Sequence, residues 1–210
     1  MIIDPSRKEF IESEANNKAD YKIYSDGSGQ DNGIGLAAIL YKKEKTGQLK
    51  SLKAYLGTAA EHNTYKAKII GAIIALWIIQ NTPETIGKNV SLCTDNQSII
   101  DAISNPKSTS GQYLVNSLRK SANATECNLY ICWMLSHSKV KGNEVVDQLA
   151  KEAAAGRSSP RAKLPHILQT TLQTSALALK QDYTLTLKTK WAQIWRNLPR
   201  KARTEQLGLH

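Results

Sequence analysis

The sequence predicts an α/β fold: a five-stranded mixed sheet with helices on both faces, followed by a basic helical tail. Three strand-like segments come first, at residues 21–26, 34–41 and 49–56. Their short connections favour an antiparallel meander. Helix-like and strand-like segments then alternate, which is typical of layered α/β domains, and crossovers of this kind place the last two strands parallel to the first.

Apolar spacing and helix-breaking residues define the later elements. Residues 64–80 predict a helix with a wide apolar face, which ends at Thr82-Pro83. Further strands are predicted at residues 89–94 and 128–134, and further helices at 97–103, 112–122 and 142–155. Residues 20–156 therefore form the predicted domain, preceded by a polar lead-in at residues 1–19 with a short helix near residues 7–15.

The tail, residues 157–210, begins as a linker rich in Ser, Pro and basic residues and continues as an amphipathic helix. Tyr183, Leu187, Trp191 and Trp195 recur every four residues. Such a stripe packs on the core of the protein or on a neighbouring domain. Membrane-surface binding is the weaker alternative, because the sequence shows no second anchoring signal.

The positive charge is concentrated in the last quarter of the chain. The net charge is +10, and from Gly156 onward ten Lys and Arg residues face only Asp182 and Glu205, a local net charge of +8. An uneven positive field of this kind indicates a polyanionic partner, with nucleic acid as the first expectation. The alternative is a solvated basic face that binds nothing.

Composition also limits the class of protein. An apolar content of 41% supports a substantial core. Cys93, Cys127 and Cys132 are odd in number and lack metal-ligand spacing, which predicts buried thiols in a reducing compartment. We therefore expect an intracellular protein, nuclear or cytoplasmic. The N-terminus lacks a signal-peptide core, and the longest apolar run, residues 69–79, is too short for a bilayer, so no membrane association is expected.

Two aspartates follow strand-like segments. Asp26 ends the first predicted strand before Gly27-Ser28-Gly29, and Asp95 follows the fourth. Both would lie at the carboxyl ends of neighbouring strands, where open α/β sheets place their sites. A carboxylate beside bare glycine backbone suits a metal ion and a phosphate. The alternative for Asp26 alone is an ordinary turn residue, since Asp-Gly is common in hairpins.

Three segments together carry a family resemblance. They are residues 24–29, residues 94–98 and residues 133–151, which run from Trp133 through His137 and Asp147 to Lys151. In order, spacing and predicted context they resemble the RNase H family over about residues 20–155. The basic tail with Trp191 and Trp195 is more loosely similar to the stretch that follows this domain in non-LTR retrotransposon polyproteins of fungal type.

The resemblance implies a reaction and a set of residues. The family hydrolyses the RNA strand of RNA–DNA hybrids with two divalent ions, Mg²⁺ or Mn²⁺, which prefer carboxylate oxygens and clamp the attacking and leaving oxygens. On the family's pattern, Asp26, Asp95 and Asp147 match metal-binding carboxylates. His137 matches a flexible histidine that assists proton transfer or product release, although alone it would be an ordinary loop histidine.

One position departs from the family's pattern. Lys68 stands where a metal-bridging glutamate is expected on the first long helix. A unit-charge pair at about 4 Å is worth about 4 kcal/mol at an effective dielectric constant near 20. We therefore expect Lys68 to pair with Asp26 or Asp95 and to oppose metal entry. Glu61 is a poor substitute ligand, because the required shift in helix register would misplace Ala67 and Gly71.

Three functional interpretations follow from the resemblance and the departure. The first is a metal-dependent RNase H of retroelement origin, active or residually active, against which Lys68 counts. The second is an inactive module that binds RNA–DNA hybrid or double-stranded RNA through shape and phosphate contacts. The third is a decayed transposon fragment. Other domains of a retroelement polyprotein are potential partners in the first two.

Overall fold

A six-stranded sheet forms the centre of the computed structural model, which describes residues 2–3, 19–43, 47–104, 111–134 and 140–197. The strands are β1 (Ile2–Ile3), β2 (Tyr21–Gln30), β3 (Gly33–Lys42), β4 (Gln48–Thr58), β5 (Asn89–Thr94) and β6 (Asn128–Trp133), in the spatial order β1-β6-β5-β2-β3-β4. Strands β2, β3 and β4 are antiparallel, whereas β5 is parallel to both β2 and β6. The predicted mixed sheet, with its meander and two parallel strands, is confirmed.

The sheet has one strand more than the sequence predicted. Strand β1 pairs in parallel with β6, through Ile2 opposite Tyr130 and Ile3 opposite Ile131. It lies within the segment expected to be a polar lead-in. The short helix expected near residues 7–15 lies outside the described residues.

Helices cover both faces of the sheet, as predicted. They are α1 (Thr64–Gln80), α2 (Gln97–Ser104), α3 (Gln112–Asn123), α4 (Lys141–Ala154) and α5 (Ala176–Asn197), with short 3₁₀ turns at Pro83–Thr85, Arg161–Lys163 and His166–Leu168. Helices α1, α2 and α3 share the larger core with residues such as Ile23 and Leu36. Helix α4 packs on the other face, where Val146 and Ala150 meet Tyr24. Alternate side chains of β2 therefore contribute to the cores on the two faces of the sheet.

Helix α1 is the buried centre of the larger layer. Its N-terminus is capped by Asn63, whose Oδ1 accepts the Lys66 backbone N–H at 2.9 Å, and Thr82-Pro83 follows its end. Twelve of its residues are buried, on nearly every side of the helix. The sequence predicted a wide apolar face, and the structure covers more of the helix because a segment beyond the domain also packs on it.

That segment, residues 157–175, is termed the strap. The hydroxyl oxygens of Ser158 and Ser159 accept the backbone N–H groups of Tyr55 and Lys53 at 2.8 and 3.0 Å. The strap therefore pairs with β4, the edge strand of the sheet. Leu164 is buried in the larger core, and the partly buried side chains of Ile167, Leu168 and Leu172 pack against the same core. Covering an edge in this way removes a row of backbone groups that would otherwise template pairing with another chain.

Helix α5 leaves the body of the protein after one turn. Ala178 is fully buried, whereas every residue from Leu179 to Asn197 is exposed. The sequence predicted that this helix packs on the core or on a neighbouring domain. Beyond its first turn, it does not pack on the core. No helix in the described part of the chain is both long and apolar enough to cross a bilayer.

Candidate functional site

Asp26 lies within strand β2 rather than at its end. The sequence predicted a glycine turn directly after Asp26, but β2 continues to Gln30. The hairpin turn is instead made by Asp31 and Asn32, which adopt φ of 48° and 66°. Asp and Asn tolerate the left-handed conformation that a tight hairpin demands. Gly27 is therefore not a turn residue.

Gly27 allows helix α1 to lie directly against the strand. A Cβ atom at Gly27 would sit 2.6 Å from the Lys68 backbone nitrogen and 2.7 Å from Ala67 Cβ. Any side chain there would force the helix away. The Gly27 N–H also donates to Asp26 Oδ1 at 2.8 Å. Because Gly27 has no side chain, the Asp26 carboxylate and the second turn of α1 can lie close together.

Lys68 bridges two carboxylates at this contact. Its Nζ lies 3.1 Å from Asp26 Oδ1 and 2.6 Å from Asp95 Oδ1. All three side chains are largely shielded from solvent, with exposed fractions of 23%, 11% and 15% for Lys68, Asp26 and Asp95. The pairing expected with one aspartate or the other therefore forms with both.

Asp95 is held from the neighbouring strand. It directly follows β5, and the Trp133 indole N–H donates to its backbone carbonyl at 3.2 Å. The Met134 N–H donates to Thr94 O at 2.8 Å and extends the parallel pairing of β5 and β6 to this point. The tryptophan thus fixes the backbone from which the carboxylate projects. Sequence reasoning used Trp133 only as part of a motif and missed this role.

Burial and charge act in opposition on these groups. Burial raises the pKa of Asp26; the Lys68 charge opposes this rise, while the Asp95 charge adds to it. Burial alone would lower the pKa of Lys68, but the combined effect of Asp26 and Asp95 raises it. Lys68 is therefore a cation at neutral pH, and its charge offsets that of the two aspartates.

Asp147 lies on α4, on the other face of the sheet, and has its own cation. Its Oδ2 is 2.6 Å from Lys151 Nζ, and both side chains are well exposed. The hydrogen bond and charge of Asp147 raise the pKa of Lys151, and Asp26 adds a smaller electrostatic effect. The structure thus pairs Asp147 with Lys151 and not with Lys68. His137 lies outside the described residues.

The cluster as arranged does not fit a divalent ion. The point on which the Asp26 and Asp95 oxygens converge is taken by the Lys68 ammonium. Among the described residues, no three His, Cys, Asp or Glu side chains are grouped as a metal site. The roles of Asp26, Asp95 and Asp147 as ligands of Mg²⁺ or Mn²⁺ remain predictions.

Glu61 is hydrogen-bonded to Thr58 in the loop before α1. Its Oε2 accepts the backbone N–H and the hydroxyl of Thr58, each at 2.9 Å. These hydrogen bonds lower the pKa of Glu61. The carboxylate therefore holds the loop before α1, which agrees with setting it aside as a substitute ligand.

A second buried lysine links α1 to the strap. Lys66 Nζ lies 3.1 Å from His62 Nδ1 and donates to the Gln173 carbonyl, and both side chains are buried. Burial lowers the pKa of Lys66. Burial, followed by the Lys66 charge, lowers that of His62. Sequence reasoning missed this contact, because its partners are distant along the chain and a helical lysine normally indicates a surface position.

Comparisons with known proteins agree with this architecture. A sequence profile described as RNase H matches residues 18–155. No curated protein sequence matches the chain significantly. The N-terminal RNase H domain of a Mycobacterium tuberculosis protein superposes with a TM-score of 0.54 at 17% identity, covering 66% of this chain and 96% of that one.

Two further solved structures are similar in fold. LC11-RNase H1 in complex with RNA/DNA hybrid has a TM-score of 0.54 at 19% identity and covers 65% of this chain and 97% of its own. The protease–reverse transcriptase of prototype foamy virus has a TM-score of 0.50 at 17% identity, covering 65% of this chain but only 21% of the viral one.

Proposed function

The chain belongs to the RNase H family, and we propose that it is a hybrid-binding protein of retroelement origin that cleaves RNA poorly or not at all. The observation that carries the proposal is the Lys68 ammonium, 3.1 Å from Asp26 and 2.6 Å from Asp95. Binding requires the shape and charge of the surface, whereas cleavage requires a pair of metal ions that this cation opposes.

The inherited reaction explains why one lysine matters. In-line attack at phosphorus needs an activated water and a stabilised leaving oxygen, which two metal ions supply together in this class of reaction. Lys68 stands at the position of the metal-bridging glutamate in the family's pattern. It removes a ligand and adds a positive charge that opposes a divalent ion by about 8 kcal/mol at 4 Å and an effective dielectric constant near 20, twice the value for two unit charges.

The resemblance assigns inherited roles to the remaining residues. Asp26, Asp95 and Asp147 are the inherited ligands of Mg²⁺ or Mn²⁺, and His137 is the residue for proton transfer or product release. Residues 20–156 form the nucleic-acid-binding domain. The tail from residue 157, which carries most of the net positive charge, extends the footprint along the phosphates.

Two of the similar structures support the ligand and the origin. One is an RNase H1 bound to RNA/DNA hybrid, and one is a viral protease–reverse transcriptase. We propose RNA–DNA hybrid as the ligand, with double-stranded RNA as the alternative. Other domains of a retroelement polyprotein are the proposed partners, in the nucleus or cytoplasm.

Binding is tested first without metal. A fluorescent RNA–DNA hybrid is titrated with the protein in a chelator and then in Mg²⁺, beside double-stranded RNA and duplex DNA of the same sequence. We expect similar affinity for hybrid with and without Mg²⁺, and affinity that falls as salt rises. Failure to bind any duplex would overturn the binding proposal and favour a decayed fragment.

Cleavage is tested with variants of Lys68. A labelled hybrid is incubated in Mg²⁺ or Mn²⁺ with the natural protein, Lys68→Glu, Lys68→Gln, and Lys68→Glu combined with Asp95→Asn. We expect only Lys68→Glu to cleave, at least about 100-fold faster than the natural protein, since one lost ligand interaction at a reacting centre is worth about 3–4 kcal/mol. Lys68→Gln removes the charge without supplying a ligand and is the matched control.

Residual metal-dependent cleavage is the second candidate function. It is favoured by the retention of Asp26 and Asp95 and by the 23% exposure of the Lys68 side chain, which leaves part of it in contact with solvent. This function requires the natural protein to cut hybrid in Mn²⁺ and Asp95→Asn, made in that background, to abolish the cut. That pair of results would refute the blocking role of Lys68.

A further inference from the structure

The end of the strap is attached to the domain through the loop before α1. The Ser175 N–H donates to the Glu61 carbonyl at 2.7 Å, and the Asn63 side-chain amide donates to Ser175 Oγ at 3.3 Å. The same Oγ accepts the Ala178 N–H at 3.4 Å, in the first turn of helix α5. Beyond this turn α5 is exposed, so its attachment to the body of the protein depends on the position of Ser175.

Three residues, termed the His62 cluster, hold the chain two positions before Ser175. They are His62, Lys66 and Gln173. Lys66 Nζ donates to the Gln173 carbonyl and lies 3.1 Å from His62 Nδ1. Because an ammonium group has only donors, His62 Nδ1 accepts in this contact and carries no proton. His62 is therefore neutral here, and its ring helps to position the ammonium group that binds the strap.

The surroundings of His62 favour the neutral ring. The side chain is 5% exposed. Strand β4 faces it with backbone at Leu56 and Gly57, and the strap faces the cluster with an uncharged carbonyl. In the described part of the chain, the charged groups that act on His62 are Lys66 and Glu61. Burial and then the Lys66 charge lower the pKa of His62 below 6.5, and Glu61 opposes this shift only in part.

We propose that protonation of His62 separates the end of the strap, together with helix α5, from the domain. A proton on Nδ1 removes the acceptor of Lys66 and places two cations 3.1 Å apart among buried groups, where like charges repel strongly. Movement of Lys66 away from His62 takes the donor from the Gln173 carbonyl. Release of the segment into water restores hydrogen bonds to both groups.

The first part of the strap has no such dependence on pH. Ser158 and Ser159 accept backbone N–H groups of β4, and Leu164 is buried in the core. These contacts contain no titrating side chain, so residues 157–172 should stay in place. The released part includes α5, which carries four basic residues against Asp182. Protonation of one buried histidine would therefore change where this positive charge lies relative to the domain.

The pH dependence has one direction. A histidine whose pKa is lowered in the attached form stabilises that form above the pKa of the released form, and this stabilisation is lost as pH falls through the lower value. The end of the strap is therefore attached at neutral pH and released in acid, below pH 6.5. Between the two pKa values of His62, the ratio of released to attached chains rises by up to about tenfold per pH unit.

An NMR titration of the full chain from neutral to acid pH tests the proposal. We expect the backbone amide signals of Ser175 and Ala178 to change together with the ring signals of His62. The signals of α5 should then show faster motion of the backbone. The amides of Lys53 and Tyr55, which donate to the first part of the strap, should not follow this transition.

Three variants separate the roles within the cluster. His62→Asn keeps an oxygen acceptor for Lys66 but cannot titrate, so the segment should stay attached in acid. His166→Asn is the matched control, because His166 is an exposed histidine of the strap, and it should leave the transition unchanged. Lys66→Met removes the donor to Gln173 and should release the segment at neutral pH.

Two results would overturn the proposal. One is a segment that stays attached while the His62 ring gains its proton, which would show that Lys66 gives up a proton and keeps the contact. The other is a release that does not follow the His62 titration, that persists in His62→Asn, or that includes Lys53 and Tyr55 as in unfolding of the whole domain. The natural protein alone decides if a variant fails to fold, because its ring and amide signals are compared in one titration.

Discussion

Lys68 controls the electrostatics of the site because it is the counter-charge of two buried carboxylates. Its Nζ contacts both Asp26 and Asp95, and the three side chains are mostly shielded from water. Removing one member of such a cluster leaves charge in a medium of low polarity without compensation. The contact that we propose to oppose a metal ion therefore also stabilises the fold.

Lys68→Met is expected to lower the free energy of unfolding by about 2–3 kcal/mol at neutral pH, because Asp26 and Asp95 lose their shared cation while partly buried. Urea denaturation measures the change. Lys151→Met is the matched control, because its ion pair with Asp147 is equally short, 2.6 Å, but much more exposed. That variant should change stability by less than about 0.5 kcal/mol. Equal losses in the two variants would contradict the role given to burial.

The pH dependence of stability has a definite sign at Asp26. Burial raises its pKa above 3.8 despite the opposing Lys68 charge. A carboxyl whose pKa is raised by folding contributes stability below its unfolded pKa, and this contribution is lost as pH rises through the folded pKa. Lys68→Met removes the main opposing charge, so the pKa of Asp26 should rise further in that variant.

The stability difference between the natural protein and Lys68→Met should therefore widen from about pH 4 to about pH 7. An NMR titration of the Asp26 carboxyl carbon reports the pKa directly, and urea denaturation at the two pH values reports the stability. A difference that stays constant over this range, with an unchanged pKa, would show that Lys68 does not govern Asp26.

At the scale of elements, the contact between β2 and α1 depends on one missing side chain. A Cβ at Gly27 would lie 2.6 Å from the backbone of Lys68, so the helix and strand meet more closely than any other residue would permit. The distances between Lys68 and the two aspartates depend on that separation.

Gly27→Ala is expected to destabilise the fold by about 1–3 kcal/mol, because the added methyl group forces α1 away from β2. Gly47→Ala is the control, since nothing lies within 4 Å of its Cβ position. That change should be neutral or slightly stabilising, through reduced entropy of the unfolded chain. Thermal or urea unfolding measures the stability of both variants. A Gly27→Ala variant as stable as the natural protein would show that α1 can move away from β2 without loss of stability.

The strap is a second element whose packing has a measurable consequence. Leu164 is 5% exposed although it lies beyond the segment matched by the family profile, whereas Leu185 on α5 is 65% exposed. Leu164→Ala should cost about 2–3 kcal/mol through lost burial and the cavity left behind. Leu185→Ala should stay within about 0.5 kcal/mol. Similar small effects in both would show that the strap does not belong to the folded core.

At the scale of the whole molecule, the uneven charge predicts how the proposed nucleic-acid ligand would be bound. The net charge of +10 comes mostly from the chain beyond Gly156. Cations that contact phosphates release counterions, so the logarithm of the binding constant falls linearly with the logarithm of the salt concentration.

Replacing Lys180, Lys188 and Lys190 together with Gln should reduce the magnitude of that salt slope by about 1–3 and weaken hybrid binding at low salt. Asp182→Asn raises the charge of the same helix and should change affinity in the opposite direction. Fluorescence anisotropy at several salt concentrations measures both. An unchanged slope in the triple variant would place the phosphate contacts on the domain alone.

Much of this architecture was predictable because it follows from local patterns. The alternation of strand and helix signals predicted five of the six strands and the two helical layers, and α4 begins one residue from its predicted start. Asp26 and Asp95 were expected to lie close together and do meet at Lys68, although Asp26 lies within β2 and not at its carboxyl end as predicted. Contacts made by distant segments were not predictable: the pairing of Ile2–Ile3 with β6, the strap on β4, and Lys66 with Gln173.

The sequence by itself determined the family, the layered sheet and the expectation that Lys68 pairs with Asp26 or Asp95, because residue type and spacing encode each of these. Only the tertiary structure decided that the Lys68 ammonium lies between both aspartates rather than beside one. That contact depends on how closely α1 approaches β2 and on the register of β5, which no local pattern specifies. The stripe on α5 was likewise visible in the sequence, but only the folded chain shows that the protein's own core does not cover it.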